Sequence, residues 1–101
     1  MSFSLTMNHR PAVKGLIKMG PLAVPKLSAA LRNDTDSEVR FYAAFCLASI
    51  GGASAADSLR QALASESDAC VRRIILVSLD SFDDNGNIKD RTKWLSGLAC
   101  D

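Results

Sequence analysis

Pro25-Lys26-Leu27-Ser28-Ala29-Ala30-Leu31, followed after a short gap by Asp36-Ser37-Glu38-Val39-Arg40, is echoed by Asp57-Ser58-Leu59-Arg60-Gln61-Ala62-Leu63 and Asp68-Ala69-Cys70-Val71-Arg72. Leu27 pairs with Leu59, Ala30 with Ala62, Leu31 with Leu63, Asp36 with Asp68, Val39 with Val71 and Arg40 with Arg72, each pair thirty-two residues apart. A fixed period of that size marks a stacked repeat, in which each unit buries its apolar stripe against its neighbour. The period speaks to architecture and says far less about chemistry.

Working outward, the pattern gives six helices in three pairs. The first spans about Asn8 to Met19, with Pro11 in the first turn, where a missing N–H costs little. Gly20-Pro21 breaks the chain, and a second helix covers about Leu22 to Arg32 with Pro25 in its first turn. After the polar turn Asn33-Asp34-Thr35-Asp36, Asp36 or Ser37 caps a third helix from about Ser37 to Ile50. Its apolar stripe is Val39, Ala43, Cys46, Leu47 and Ile50, and Gly51-Gly52 ends it. The remaining helices fall at about Ala53 to Ser65, Asp68 to Phe82 and Ile88 to Ala99, with Asp83-Asp84-Asn85-Gly86-Asn87 as a turn. The first helix aligns on the third with an offset of thirty-one, Ala12 on Ala43, Leu16 on Leu47 and Gly20 on Gly51. The expected fold is all-α, a short α-α superhelix of about three helix pairs in a single domain, with repeats at about 8–33, 36–65 and 68–99.

The phrase from Asp36 through Val39-Arg40, Ala43, Leu47 and Ile50-Gly51 resembles a HEAT-like repeat, in particular the short bacterial subtype found in phycobilin lyases and their relatives. Gly20-Pro21-Leu22-Ala23-Val24-Pro25-Lys26-Leu27 is similar to that family's second helix, and the resemblance covers about Asn8 to Phe82. The ends depart from it: Asn8 and His9 stand where the Val-Arg pair is expected, and the last helix pair is only loosely similar. Atypical terminal units are expected of capping repeats. What the resemblance implies is a HEAT-like solenoid and, as an alternative role, a phycobilin lyase-related factor acting on phycobiliproteins or the phycobilisome.

Composition narrows the function classes. The chain has 101 residues, a net charge of +1 and 48% apolar residues. That balance excludes a disordered chain and argues against a nucleic-acid footprint, which needs dense positive charge. A DNA-binding helical repeat of the alkylation-repair kind is disfavoured on the same ground. No apolar run approaches the roughly 20 residues of a membrane helix, so no membrane insertion is expected. The first ten residues lack a basic stretch followed by an apolar one, and the chain is read as cytoplasmic. Cys46, Cys70 and Cys100 form no metal-type spacing, and all three are expected to be unpaired thiols.

Catalytic constellations are scarce. His9 is the one histidine, with no acid or nucleophile near it in sequence. Iron-binding HEAT-like enzymes use His-Glu pairs, and none is present. Ser81 and Thr92 stand where a calcium loop around Gly86 would need oxygen ligands of another kind, so an Asn-Gly turn is the better reading. No catalytic residue, cofactor or metal is expected.

The expected function is therefore a non-enzymatic protein–protein interaction module: an adaptor, assembly factor or small subunit docking on a larger complex. Phe41 and Phe45 hold positions that usually face solvent; either they form with Val77 an apolar patch rimmed by Arg10, Lys14 and Arg73, or the rings bury against their own helix or an end segment. A weaker, mildly basic face on the second helices offers Lys26, Ser28, Arg32, Arg60, Gln61 and Lys93, which suits an acidic protein partner. Trp94, with Leu95 and Leu98, is expected to close the open end of the solenoid. Asp36, Arg40, Asp68 and Arg72 are read as structural, with each arginine reaching the aspartate of a neighbouring turn.

Overall fold

The computed structural model describes residues 10–100, with side chains from Val13 onward. Helix α1 is Arg10–Met19; a 3-10 turn, Gly20–Ala23, leads into α2, Val24–Asn33. Then follow α3 (Ser37–Ile50), α4 (Ala53–Leu63), α5 (Ala69–Ser81) and α6 (Arg91–Ser96). The fold is all-α, a short stack of helix pairs measuring 32 × 28 × 26 Å.

The caps are written in the repeat. Asp36 Oδ1 accepts from the Glu38 N–H at 2.9 Å, and Asp68 Oδ1 accepts from the N–H groups of Cys70 and Val71 at 2.9 and 3.0 Å. Each carboxylate satisfies orphan donors at the positive end of its helix. Pro25 sits in the first turn of α2, as its missing N–H requires. Gly51 and Gly52 end α3 at φ of 73° and 93°, conformations that a side chain disfavours. The turn before α6 laps over this break: Gly52 N–H donates to the Gly86 carbonyl at 2.8 Å. A Cβ on Gly86 would stand 2.6 Å from the Gly52 oxygen, so only glycine fits there.

Helix α3 is the axis of the molecule and packs against α1, α2, α4 and α5. Every residue from Phe41 to Ala48 is buried. A helix apolar on all sides belongs inside. Alanines at 44, 48, 55 and 56 are almost fully enclosed, which lets the helices approach closely. Between α2 and α4, the Ser28 and Ser58 hydroxyls share a hydrogen bond of 2.6 Å, so the second helices run side by side.

The last helix departs from expectation. It covers Arg91–Ser96 rather than about 88–99, because Ile88 pairs with Phe82 in an isolated bridge and Asp90 caps the helix through the Lys93 N–H. The expectation of three free thiols also fails. Cys70 and Cys100 form a disulfide that pins the C-terminal segment to the first turn of α5, and only Cys46 is free.

Candidate protein-interaction surface

The repeated arginines build the frame. Arg40 donates from Nε and Nη2 to the two oxygens of Glu66 at 2.9 and 3.0 Å, and from Nη1 to the Asp34 carbonyl at 2.9 Å. The pair is largely buried, with side-chain exposures of 15% for Arg40 and 3% for Glu66. Hydrogen bonding to Glu66 raises the Arg40 pKa, outweighing the lowering by burial. Glu66 Oε2 also accepts from the Asp68 N–H, as Asp34 Oδ1 accepts from the Asp36 N–H one repeat earlier. The partner of Arg40 is thus a carboxylate of the neighbouring turn, but a glutamate, Glu66, rather than an aspartate. Among the described residues Arg72 reaches no aspartate side chain: its Nη1 donates to the carbonyls of Glu66 and Leu63 at 3.1 and 3.2 Å.

The expected patch around Phe41 and Phe45 is not a surface. Phe41 is 2% exposed and Phe45 8%. Val39, Ala43 and Cys46 line a recess shared with α1 and α2, whereas Phe45 lies away from it and stacks on Trp94 with ring centroids 5.2 Å apart. Phe41 packs edge-on against Tyr42. Phe41, Ala44, Phe45 and Ala48 recur at helical spacing, and that second stripe is what α5 and the C-terminal segment cover. The positions after the repeated arginine therefore face the next unit of the stack, not solvent. Val77, the third member of the expected patch, is half-buried; of the rim residues, Lys14 and Arg73 are exposed and the Arg10 side chain lies outside the described residues, as does His9.

Trp94 does close the C-terminal end of the core. It is fully buried, and its indole N–H donates to the Ser78 hydroxyl at 2.9 Å. Gly97 sits over Val77, and its carbonyl accepts from Arg73 Nε at 3.0 Å. What remains open is the outer side of α5. A shallow groove there is lined by Ser67, Ala69, Arg72, Arg73, Leu76 and Val77, and Leu76 is 48% exposed. The sequence reading placed Arg73 and Val77 on a surface but did not find Leu76.

The second-helix face is real as a surface. Lys26, Arg32, Arg60 and Gln61 are all exposed. Arg60 is paired with Asp57 at 2.6 Å, which reduces the basic character of this face. Lys26 also borders a recess of about 230 Å³, otherwise walled by Val13, Leu16, Leu27, Ala30, Val39 and Tyr42 and almost wholly apolar. Cys46 lies at its floor, and burial pushes that thiol up from 9.0 to about 11. Among the described residues no group of three His, Cys, Asp or Glu side chains is placed to hold a metal ion.

A family model for HEAT repeats matches residues 9–88. This chain belongs to the HEAT repeat family. The HEAT units account for the stacked pairs, and the match ends at Ile88, before the α6 cap. No curated protein and no solved structure matches the chain. No helix among the described residues is long and apolar enough to cross a membrane.

Proposed function

We propose that this HEAT repeat chain is a non-enzymatic protein-interaction module, an adaptor or small subunit that docks on a larger protein. One observation carries the reading. Phe41, Ala44 and Phe45 on α3 are at most 8% exposed, whereas their counterparts thirty-two residues on, Arg73, Leu76 and Val77, border an open groove. The C-terminal segment covers this face only in part, through Gly97 at Val77 and Arg73, and leaves Leu76 48% exposed, a stacking face open to a partner. HEAT repeats commonly mediate protein–protein interaction, which supports the same reading.

The test is capture from native lysate with a photo-crosslinking residue at position 76, beside a Leu76→Glu variant. A stoichiometric adduct that the variant loses supports the module. No adduct from either form, with native helical spectra for both, removes it. The phycobilin lyase-related role has no observation in its favour: the apolar recess of about 230 Å³ falls below the roughly 300–1,000 Å³ of typical small-molecule sites.

A further inference from the structure

The repeat supplies its own template for what the open groove takes. Inside the stack, a unit ends on an arginine face, and the next unit brings a carboxylate to it from the turn before its first helix. Arg40 and Glu66 are that pair, joined through two hydrogen bonds. Arg72 repeats the arrangement only in part. Its Nη1 donates to the Glu66 carbonyl as Arg40 Nη1 donates to the Asp34 carbonyl, thirty-two residues back in both cases. The Nε and Nη2 edge that Arg40 gives to Glu66 has no counterpart bond in Arg72 among the described residues, and Arg72 is exposed. Thirty-two residues beyond Glu66 the chain places Leu98, which is apolar and 3% exposed, so no acid follows in the series.

We infer that the open face of α5 binds an acidic helix start on a partner protein: a segment whose turn before the helix sets a carboxylate on Arg72, and whose apolar side chains cover Leu76 and Val77. The inference rests on the reading of this face as a docking surface. Charge chooses the partner. Arg72 and Arg73 flank Leu76 in the groove, and a guanidinium edge prefers a planar carboxylate that can take two parallel hydrogen bonds. A second copy stacked through its first helix is a poor occupant, because the exposed face of α1 carries Lys14 and Lys18.

The probe is a fluorescent peptide copying Ser65 to Asp80, the segment that presents Glu66 to Arg40 within the chain, stapled into a helix across the positions of Arg72 and Leu76. Anisotropy against the full-length protein is expected to show saturable binding. It weakens about tenfold or more when the peptide's Glu66 becomes Gln or the protein carries Arg72→Glu. Combining Arg72→Glu with a peptide carrying Glu66→Arg restores binding. Leu76→Asp, an exposed position, weakens binding by a second route. Binding that ignores both charge changes overturns the acidic chemistry while leaving the docking reading intact. Dependence on Arg40 rather than Arg72 also overturns it, since the peptide would then be displacing α5. No binding in any combination overturns it too, and the docking reading then stands or falls on the crosslinking result. Sedimentation as a dimer that Arg72→Glu dissociates would overturn it in favour of a second copy.

Discussion

Arg40 and Glu66, twenty-six residues apart, meet through two parallel hydrogen bonds of 2.9 and 3.0 Å and lock one repeat to the next. Both side chains are largely buried, so removing one partner strands a charge. Glu66→Ala or Arg40→Ala is expected to cost about 3–5 kcal/mol, measured by urea unfolding. The double variant should cost much less than the two together. Additive losses would show that the residues do not act as a pair.

Phe41→Ala and Phe45→Ala should each lower stability by about 3–5 kcal/mol, as deletions of buried rings do. Their effect on partner capture should vanish under conditions where the variant remains folded. A folded Phe45→Ala protein that fails to bind would return this ring to the interface.

Trp94 is fully buried, stacks on Phe45 and donates to Ser78, itself fully buried. Trp94→Phe removes the donor and leaves the serine hydroxyl in an apolar setting, at a cost of about 1–3 kcal/mol. In the unaltered protein, indole emission should be blue-shifted and protected from acrylamide. Quenching at the rate of free indole would contradict a closed cap.

Cys70 and Cys100 close a loop with a sequence separation of 30, worth roughly 3–4 kcal/mol in the chain-entropy picture. Alkylation in denaturant without reductant should label Cys46 alone, and reductant should expose two further thiols. Three labelled cysteines before reduction would refute the bridge. In the folded protein Cys46 should react slowly, being buried and hard to ionise.

The same thiol sets an alkaline limit. Its proton is held to about pH 11 in the fold, above the ordinary 9.0, so the unfolded chain loses that proton first. Stability from this source is complete below pH 9.0 and is lost as pH rises toward about 11, by up to about 2–3 kcal/mol. Cys46→Ala should flatten that part of the pH profile. An unchanged slope would place the alkaline loss elsewhere.

Much of the fold was legible. The period, the Asp36 and Asp68 caps and the Gly51-Gly52 stop located α3 at Ser37–Ile50, because each is a local rule with a local cause. The site was harder. The stripe Val39-Ala43-Cys46-Leu47-Ile50 marks one buried face of α3, while Phe41 and Phe45, which stand out in the sequence as an apolar pair, belong to a second stripe with Ala44 and Ala48 that the next unit buries. A central helix has neighbours on both sides, and periodicity on one side says nothing of the other. The Arg40 partner is a glutamate of the neighbouring turn rather than an aspartate, since reach depends on the path of the turn. Nothing in the spacing of Cys70 and Cys100 announced their meeting, which arises from how the C-terminal segment folds back. Leu76 lies off the apolar stripe expected on the fifth helix, and its exposure depends on what packs beside α5, which spacing along one helix does not report.

The contacts between neighbouring units recur at one interval, and this has an evolutionary consequence. A second copy of residues 36–67, inserted after the first, would arrive with Val39-Arg40 at its front, Glu66 at its rear, and an Asp68 to follow. Its arginine would find a glutamate, its first helix would lie over Phe41 and Phe45, and the Trp94 cap would move outward unchanged in sequence. Gene duplication can therefore lengthen such a stack without inventing an interface, because each added unit carries both halves of the contact.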